Sequence, residues 1–327
     1  MRPRIFVTQP IAQSALDRLR AVADVKVNPV SSRVIPKKAL VAAVRKHDFL
    51  FSLLHDVVDR SVIAANPKLR AVTSMSITPD NIDVGAATAR RIPVTVVPPI
   101  VAEATADINF GLTLMVARRM VEGDRLVRKG IFPGAQSNHL AGAAVYGKTI
   151  GLVGGGGRIG GAVARRAHGF GMRILYWGPR RKTEAAEREL HLHYVPLDQL
   201  LRESDFVSVH SPLKPETRHQ IGERELALMK PTAFLINTAR GPIVDEKALV
   251  KALASGRIAG AGLDVFEHEP QVPRALVKMS NVVLTPHLGS AVMAVREQMA
   301  NIVVDNILAI LDGKQPPNCV NPEVFPA

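Results

Sequence analysis

Three polar residues of complementary chemistry follow β-like runs in the second half of the chain: Arg240 after Ala233–Asn237, Glu269 after Ala261–Val265 and His287 after Val282–Leu284. A guanidinium holds a carboxylate, a carboxylate orients an imidazole and stabilises its charged form, and an imidazole moves protons near neutral pH. Together they suit reduction of a 2-oxo acid, which needs a carboxylate anchor, a polarised carbonyl and a proton donor beside a hydride source. Singly, each has a plain reading: a loop salt bridge, a solvated acid before Pro270, or a satisfied loop histidine. The set carries the argument, because open α/β sheets bind ligands beyond the carboxyl ends of their strands.

A hydride source is indicated upstream. The β-like run Thr149–Val153 leads into four glycines, Gly154 to Gly157, and on through Arg158, Ile159, Gly160 and Gly161 to a helical stretch, Ala162–His168. Gly155, Gly157 and Gly160 have the Gly-x-Gly-x-x-Gly spacing of a turn that approaches a pyrophosphate at a helix N-terminus. The next run, Met172–Trp177, ends in Gly178-Pro179-Arg180-Arg181-Lys182 and lacks the acid that would accept hydrogen bonds from an adenosine ribose. Arg180 and Arg181 can instead pair with a 2′-phosphate, which favours NADP(H), with NAD(H) as the second choice.

Elements able to position these residues are legible as alternating runs. Ile5–Thr8, Val25–Val27 and Phe49–Ser52 alternate with helical patterns over Ile11–Ala21 and Lys37–Arg45. A second series adds strands at Thr149–Val153, Met172–Trp177, Phe206–His210, Ala233–Asn237, Ala261–Val265 and Val282–Leu284. Such alternation predicts parallel sheets covered on both faces. Residues 101–121 read as one long helix, apolar nearly all round from Ile108 to Met120 and hence buried; Gly289–Leu311 reads as a final helix.

Composition sets the outer bounds. A chain of 327 residues is long enough for about two domains, and its single cysteine, Cys319, makes no internal disulfide. The cysteine usage, a first segment that reads as a strand and the absence of a long apolar run predict a cytoplasmic chain outside the membrane. The net charge of +13 could serve nucleic acid, but no recognition motif accompanies it. Residues 125–183 hold eleven bases and no acid, so the excess gathers around the glycine turn, where a phosphate-rich cofactor and an anionic substrate would dock. His191 and His193 flank one residue and could touch a metal, but no cysteine lies near them and a solvated turn is the plainer reading, so no metal is expected.

The segments Asn237-Thr238-Ala239-Arg240-Gly241, Gly262-Leu263-Asp264-Val265-Phe266 with Glu269-Pro270, and Thr285-Pro286-His287-Leu288-Gly289-Ser290 resemble the signature segments of the D-isomer-specific 2-hydroxyacid dehydrogenases. The similarity spans nearly the whole chain. It implies an α/β fold of two doubly wound parallel-sheet domains, with a Rossmann cofactor domain (100–287) inserted into a flavodoxin-like substrate domain (1–99 plus 288–327). It further implies that Arg240 binds substrate, His287 is the acid/base and Glu269 its partner. Thr105, Gly155, Gly157, Arg158, Ile159, Gly160, Gly178, Arg180, Arg181, Pro212, Thr217, Thr238, Ala239, Asp264, His287 and Gly289 would line the cofactor. Ser76, Ile77 and Thr78 would line the substrate. The long helix fits the homodimer interface of that family.

Among subgroups the chain is most similar to NADPH-dependent glyoxylate/hydroxypyruvate reductases, with 2-ketogluconate reductases close behind. Two departures stand out: Thr78 replaces a usual glycine in the substrate loop, and the glycine turn is one residue longer. Formate dehydrogenases carry Gln in place of Glu269, and phosphite dehydrogenases carry Lys in place of Ile77, so both activities are disfavoured. Corepressors of the family, which use the fold as a cofactor-sensing interaction module, are the alternative from another class.

Overall fold

In a computed structural model, which describes residues 2–325, the chain divides into two compact units, Met1–Ile100 with Ala291–Ala327, and Val101–Ser290. The first holds a five-stranded sheet of β1 (Arg4–Val7), β2 (Asp24–Val27), β3 (Phe49–Ser52), β4 (Ala71–Ser74) and β5 (Val94–Thr95). All pairs are parallel, in the order β2-β1-β3-β4-β5. Central β3 and β4 are buried throughout, whereas edge strand β2 alternates between exposed and half-buried. Helices α1 (Gln13–Val22), α2 (Lys37–Val44), α3 (Arg60–Ala64) and α4 (Val84–Thr88) connect the strands. The C-terminal helix, Met293–Leu311, packs against α1 and β4. Beyond it, Asn321 accepts a bond from Val94 N and donates to Ile92 O and Thr88 Oγ1, fastening the chain end to β5.

The second unit is a seven-stranded parallel sheet: β6 (Thr149–Val153), β7 (Arg173–Trp177), β8 (Leu192–Tyr194), β9 (Phe206–Val209), β10 (Phe234–Asn237), β11 (Gly260–Leu263) and β12 (Val282–Leu284). The order β8-β7-β6-β9-β10-β11-β12 reverses direction between β6 and β9, the place where such sheets leave a crevice. Its helices are α5 (Ala102–Ala117), α6 (Met120–Arg128), α7 (Arg158–Gly169), α8 (Glu184–Glu189), α9 (Leu197–Glu203), α10 (Glu223–Leu228), α11 (Glu246–Ala254) and α12 (Arg274–Lys278). Strand alternation divides the core into two layers. Ile150, Leu152, Ile174 and Ile236 join α5 and α7 on one face, while Val153, Leu175, Val207 and Leu235 join α9 to α11 on the other.

Several expectations are revised. β4, β5 and β8 are strands not anticipated from the sequence. The single helix expected over 101–121 is two, broken at Arg119, whose φ of 54° is left-handed. The returning segment causes the break: Ala143 N donates to Ala117 O at 2.8 Å, replacing the next helical bond. The buried face of α5 packs against β10, β11, β12 and α7 of its own unit. The final helix begins at Met293 rather than Gly289, since Leu288 and Gly289 are held by Asp264.

Candidate active site

Register aligns the carboxyl ends of the second sheet. Trp177, Val153, Val209, Asn237, Leu263 and Leu284 form one row across β7, β6, β9, β10, β11 and β12. The residues that follow, from Gly178 and Gly154 through His210, Thr238, Asp264 and Thr285, therefore emerge along one edge.

On the β10–β12 side, side chains fix the loops. Asn237 accepts from Ala239 N and donates to Arg240 O, both at 3.0 Å, so its amide shapes the loop that carries Arg240. Arg240 donates from its guanidinium to Ala239 O at 2.8 Å. Gly241 lies so close to the Phe266 backbone that a Cβ would stand 1.9 Å from the Phe266 carbonyl carbon, which explains glycine there. Asp264 is buried and binds the next loop with both oxygens: Oδ1 accepts from Thr285 Oγ1 (2.6 Å) and Leu288 N (2.7 Å), Oδ2 from Gly289 N (2.9 Å). Burial pushes its pKa up, and these donors and the nearby His287 oppose that rise.

His287 donates its backbone N–H to Asp264 O at 2.9 Å and adopts φ 56°, a left-handed conformation uncommon for a residue with a Cβ. That conformation is maintained by the bonds around it. Glu269 Oε2 lies 2.9 Å from His287 Nδ1, and Glu269 Oε1 accepts from Phe266 N at 2.8 Å. Both side chains are 17% exposed. A carboxylate only accepts, so Nδ1 carries a proton and Nε2 is the ring's other polar atom. Behind them, buried Glu246 accepts from Glu267 N at 2.8 Å, and burial raises its pKa.

The β6 side is organised by backbone. A Cβ on Gly155 would meet Leu152, and one on Gly160 would lie 2.3 Å from Gly155 O, so these two allow the turn and the close seat of α7. A Cβ on Gly157 would meet nothing within 4 Å, and as the N-cap of α7 it has no side chain with which to cap the first turn. Backbone N–H groups at the Arg158, Ile159 and Gly160 end thus suit an anion. Gly154, ahead of this spacing, has φ 75° and donates to Trp177 O at 2.8 Å.

A profile of the D-isomer specific 2-hydroxyacid dehydrogenase, NAD binding domain, matches residues 110–289. A glyoxylate reductase of Thermococcus gammatolerans is 49% identical over 328 residues, 99% of this chain and 97% of that protein. The chain belongs to the D-isomer specific 2-hydroxyacid dehydrogenases. Two solved structures match this dehydrogenase closely. The TT0316 protein of Thermus thermophilus has a TM-score of 0.89 at 41% identity, covering 97% of this chain and 99% of that one. An NADPH-dependent glyoxylate/hydroxypyruvate reductase of Sinorhizobium meliloti, in complex with NADP and malonate, has a TM-score of 0.79 at 33% identity, covering 100% and 99%. The two-domain α/β architecture is that of the family.

Other expected contact residues of this dehydrogenase also have structural partners. Thr105 Oγ1 donates to Gly289 O at 3.1 Å, and Thr238 Oγ1 accepts from Asn109. Thr217 closes its turn by donating to Pro212 O at 2.6 Å. Ser76 and Thr78 lie beyond β4 in the first unit, where Ser76 Oγ donates to Thr78 O at 2.6 Å beside Ile77. Thr78 is outside the left-handed region, so this backbone does not demand glycine. His268 is exposed, and His191 is stacked on His168 with ring centroids 3.7 Å apart.

The basic cluster is more neutral than sequence suggests. Arg128 pairs with Asp124, Arg165 with Glu103, Arg166 with Glu103 and Asp107, Arg173 with Glu203 and Arg181 with Glu187. Arg181 makes two bonds of 2.8–2.9 Å to Glu187, which also accepts from Tyr176 at 2.6 Å and is held at about 2 by Arg181 and Tyr176. Arg180 is exposed at the tip of the turn.

Sequence reasoning misses the polar layer under the crevice. Buried Asn109 bonds Ser208 (2.9 Å) and Thr238 (3.0 Å), and Ser208 Oγ lies 3.0 Å from His210 Nε2. Burial lowers the His210 pKa to about 4. The signal was present in Asn109 itself, an amide in the mainly apolar stretch of α5 that begins at Ile108, since buried polar groups require partners.

Proposed function

We infer that the protein reduces a small 2-oxo acid, glyoxylate or hydroxypyruvate, to the 2-hydroxy acid with NADPH. The observation that carries this reading is the His287–Glu269 pair at 2.9 Å on the sheet edge shared with Arg240 and the glycine turn. The backbone of the α7 N-terminus would hold the pyrophosphate, and Asp264 with its bound loop would flank the nicotinamide. Bound NADPH supplies the hydride. The Arg240 guanidinium binds the substrate carboxylate and polarises the carbonyl. His287, as imidazolium, donates a proton to the carbonyl oxygen through Nε2; hydride and proton together convert C=O to CH–OH. Glu269 holds Nδ1–H throughout, stabilising the cation before transfer and the ring orientation after it.

NADPH preference is supported by the acid-free turn after β7, and the pairing of Arg181 with Glu187 makes Arg180 the principal phosphate ligand. Reaction at a homodimer is supported by the apolar side chains exposed on α6 and the following loop, including Val127, Ile131 and 81%-exposed Phe132. Residues 1–99 with the C-terminal segment would serve as the substrate domain. No helix among the described residues is long and apolar enough to cross a membrane; a single, half-buried thiol at Cys319 supports a cytoplasmic setting. The test is steady-state kinetics with glyoxylate, hydroxypyruvate and 2-ketogluconate against NADPH and NADH. Turnover of the two smaller acids with NADPH is expected. No turnover of any 2-oxo acid would favour the interaction-module alternative, and uniform NADH preference would overturn the cofactor assignment.

A further inference from the structure

The first unit contains a cavity of about 480 Å³ between α2, the β1–β2 edge and the 28–36 loop, within the size range of small-molecule sites. Its floor is apolar: Phe6 and Ile35 are buried, and Val27 and Val34 are half-buried. Three cations, Lys26, Arg33 and Lys46, stand on its walls, and no lining residue is acidic. None of the three is engaged in an ion pair among the described residues, so their charge is available to a ligand.

The loop that forms one wall is fixed by its own bonds. Asn28 donates to Thr8 O at 2.9 Å, and its backbone N–H bonds Val7 O at 2.9 Å. On the opposite wall, His47 is buried, its ring 5.4 Å from that of Phe6. Its Nδ1 lies 2.6 Å from Ala43 O, so Nδ1 is the donor and Nε2 is the ring's other polar atom. The cavity is also separate from the 76–78 loop. β2 and β4 stand three strand spacings apart in the order β2-β1-β3-β4, about 14 Å at the usual spacing.

We propose that this cavity binds an organic anion with an apolar tail, such as a medium-chain carboxylate, at a site distinct from that of the 2-oxo acid. The tail displaces water from Phe6, Val27, Val34 and Ile35, and Lys26, Arg33 and Lys46 hold the carboxylate end. Neither half suffices: exposed cations alone bind anions weakly, and an apolar floor alone does not select charge.

The experiment titrates the full-length protein with octanoate, 1-octanol and inorganic phosphate by calorimetry, and maps hydrogen exchange with and without octanoate. Octanoate is expected to bind at least tenfold more tightly than either comparator, more weakly at high salt, and to protect amides within residues 26–47. A Lys26→Gln/Arg33→Gln/Lys46→Gln variant should lose at least tenfold in octanoate affinity, with 2-oxo acid reduction unchanged. Val34→Asp, at the floor, should do the same, and circular dichroism reports whether each variant is folded. Equal binding of octanol or phosphate, no octanoate binding, or protection confined to residues 73–82 would overturn the proposal.

Discussion

The two halves of the second sheet's carboxyl edge are built on different principles. Beyond β10, β11 and β12, polar side chains hold one another and the backbone: Asp264 binds the 285–289 loop, Glu269 binds His287 and Phe266 N, and Asn237 shapes the Arg240 loop. Beyond β6, β7 and β9, the edge consists of glycine backbone, a helix N-terminus and a half-buried histidine whose pKa is lowered. A reacting group needs a fixed charge and a fixed direction. A long polyanionic cofactor is better served by many N–H donors and few side chains.

This contrast predicts unequal sensitivity to substitution. The largest effect is expected at His287. Replacement by Asn, which tolerates the left-handed backbone, should lower kcat/KM for glyoxylate by roughly 10²–10⁴, the usual range for loss of a general acid. Retained turnover would place the proton donor elsewhere.

Next comes acid sensitivity on the opposite half. His210 is held neutral to about 4 in the folded protein, whereas an unfolded imidazole takes up its proton near 6.5. The unfolded state therefore binds more protons between those values. Stability is fully present above about 6.5 and falls as the pH drops toward 4, by up to about 3 kcal/mol from this group. Urea unfolding across that window should show the slope, and His210→Gln should flatten it. An unchanged slope would mean that His210 is not the titrating group.

A smaller effect separates the two arginines. Arg180→Ala should raise KM for NADPH about tenfold and leave NADH within twofold, consistent with losing one charge-assisted contact. Arg181→Ala should act mainly by releasing Glu187. Equal effects of Arg180→Ala on both cofactors would remove the phosphate role. Smallest is Asn237→Ala, expected to cost about 1–2 kcal/mol of stability and a few-fold in KM for the 2-oxo acid. If kcat alone fell, the amide would be acting on the proton transfer rather than on the Arg240 loop.

The same contrast explains what could be read beforehand. Glycine spacing, alternating strands and a polar residue after each strand are local patterns, so the turn at Gly155–Gly160 and the positions of Arg240, Glu269 and His287 beyond their strands are legible. What could not be read depends on distant chain segments. Arg181 looked available until α8 brought Glu187 beside it. The helix break at Arg119 depends on Ala143, and Asn109 has meaning only once β9 and β10 supply Ser208 and Thr238. Short β5 and β8 exist because neighbouring strands offer free edges.

The fastening of Asn321 to β5 and the packing of the C-terminal helix on α1 and β4 also set a timetable for synthesis. On the ribosome, the first hundred residues emerge without that helix and wait while Val101–Ser290 is made, roughly ten to forty seconds at ordinary elongation rates. The inserted unit has all its strands and helices before the enclosing one, which already has its five strands, receives its last helix. During that interval the α1 and β4 surfaces that the helix later covers are open to water, to chaperones and to other nascent chains. The part translated first is thus the part completed last.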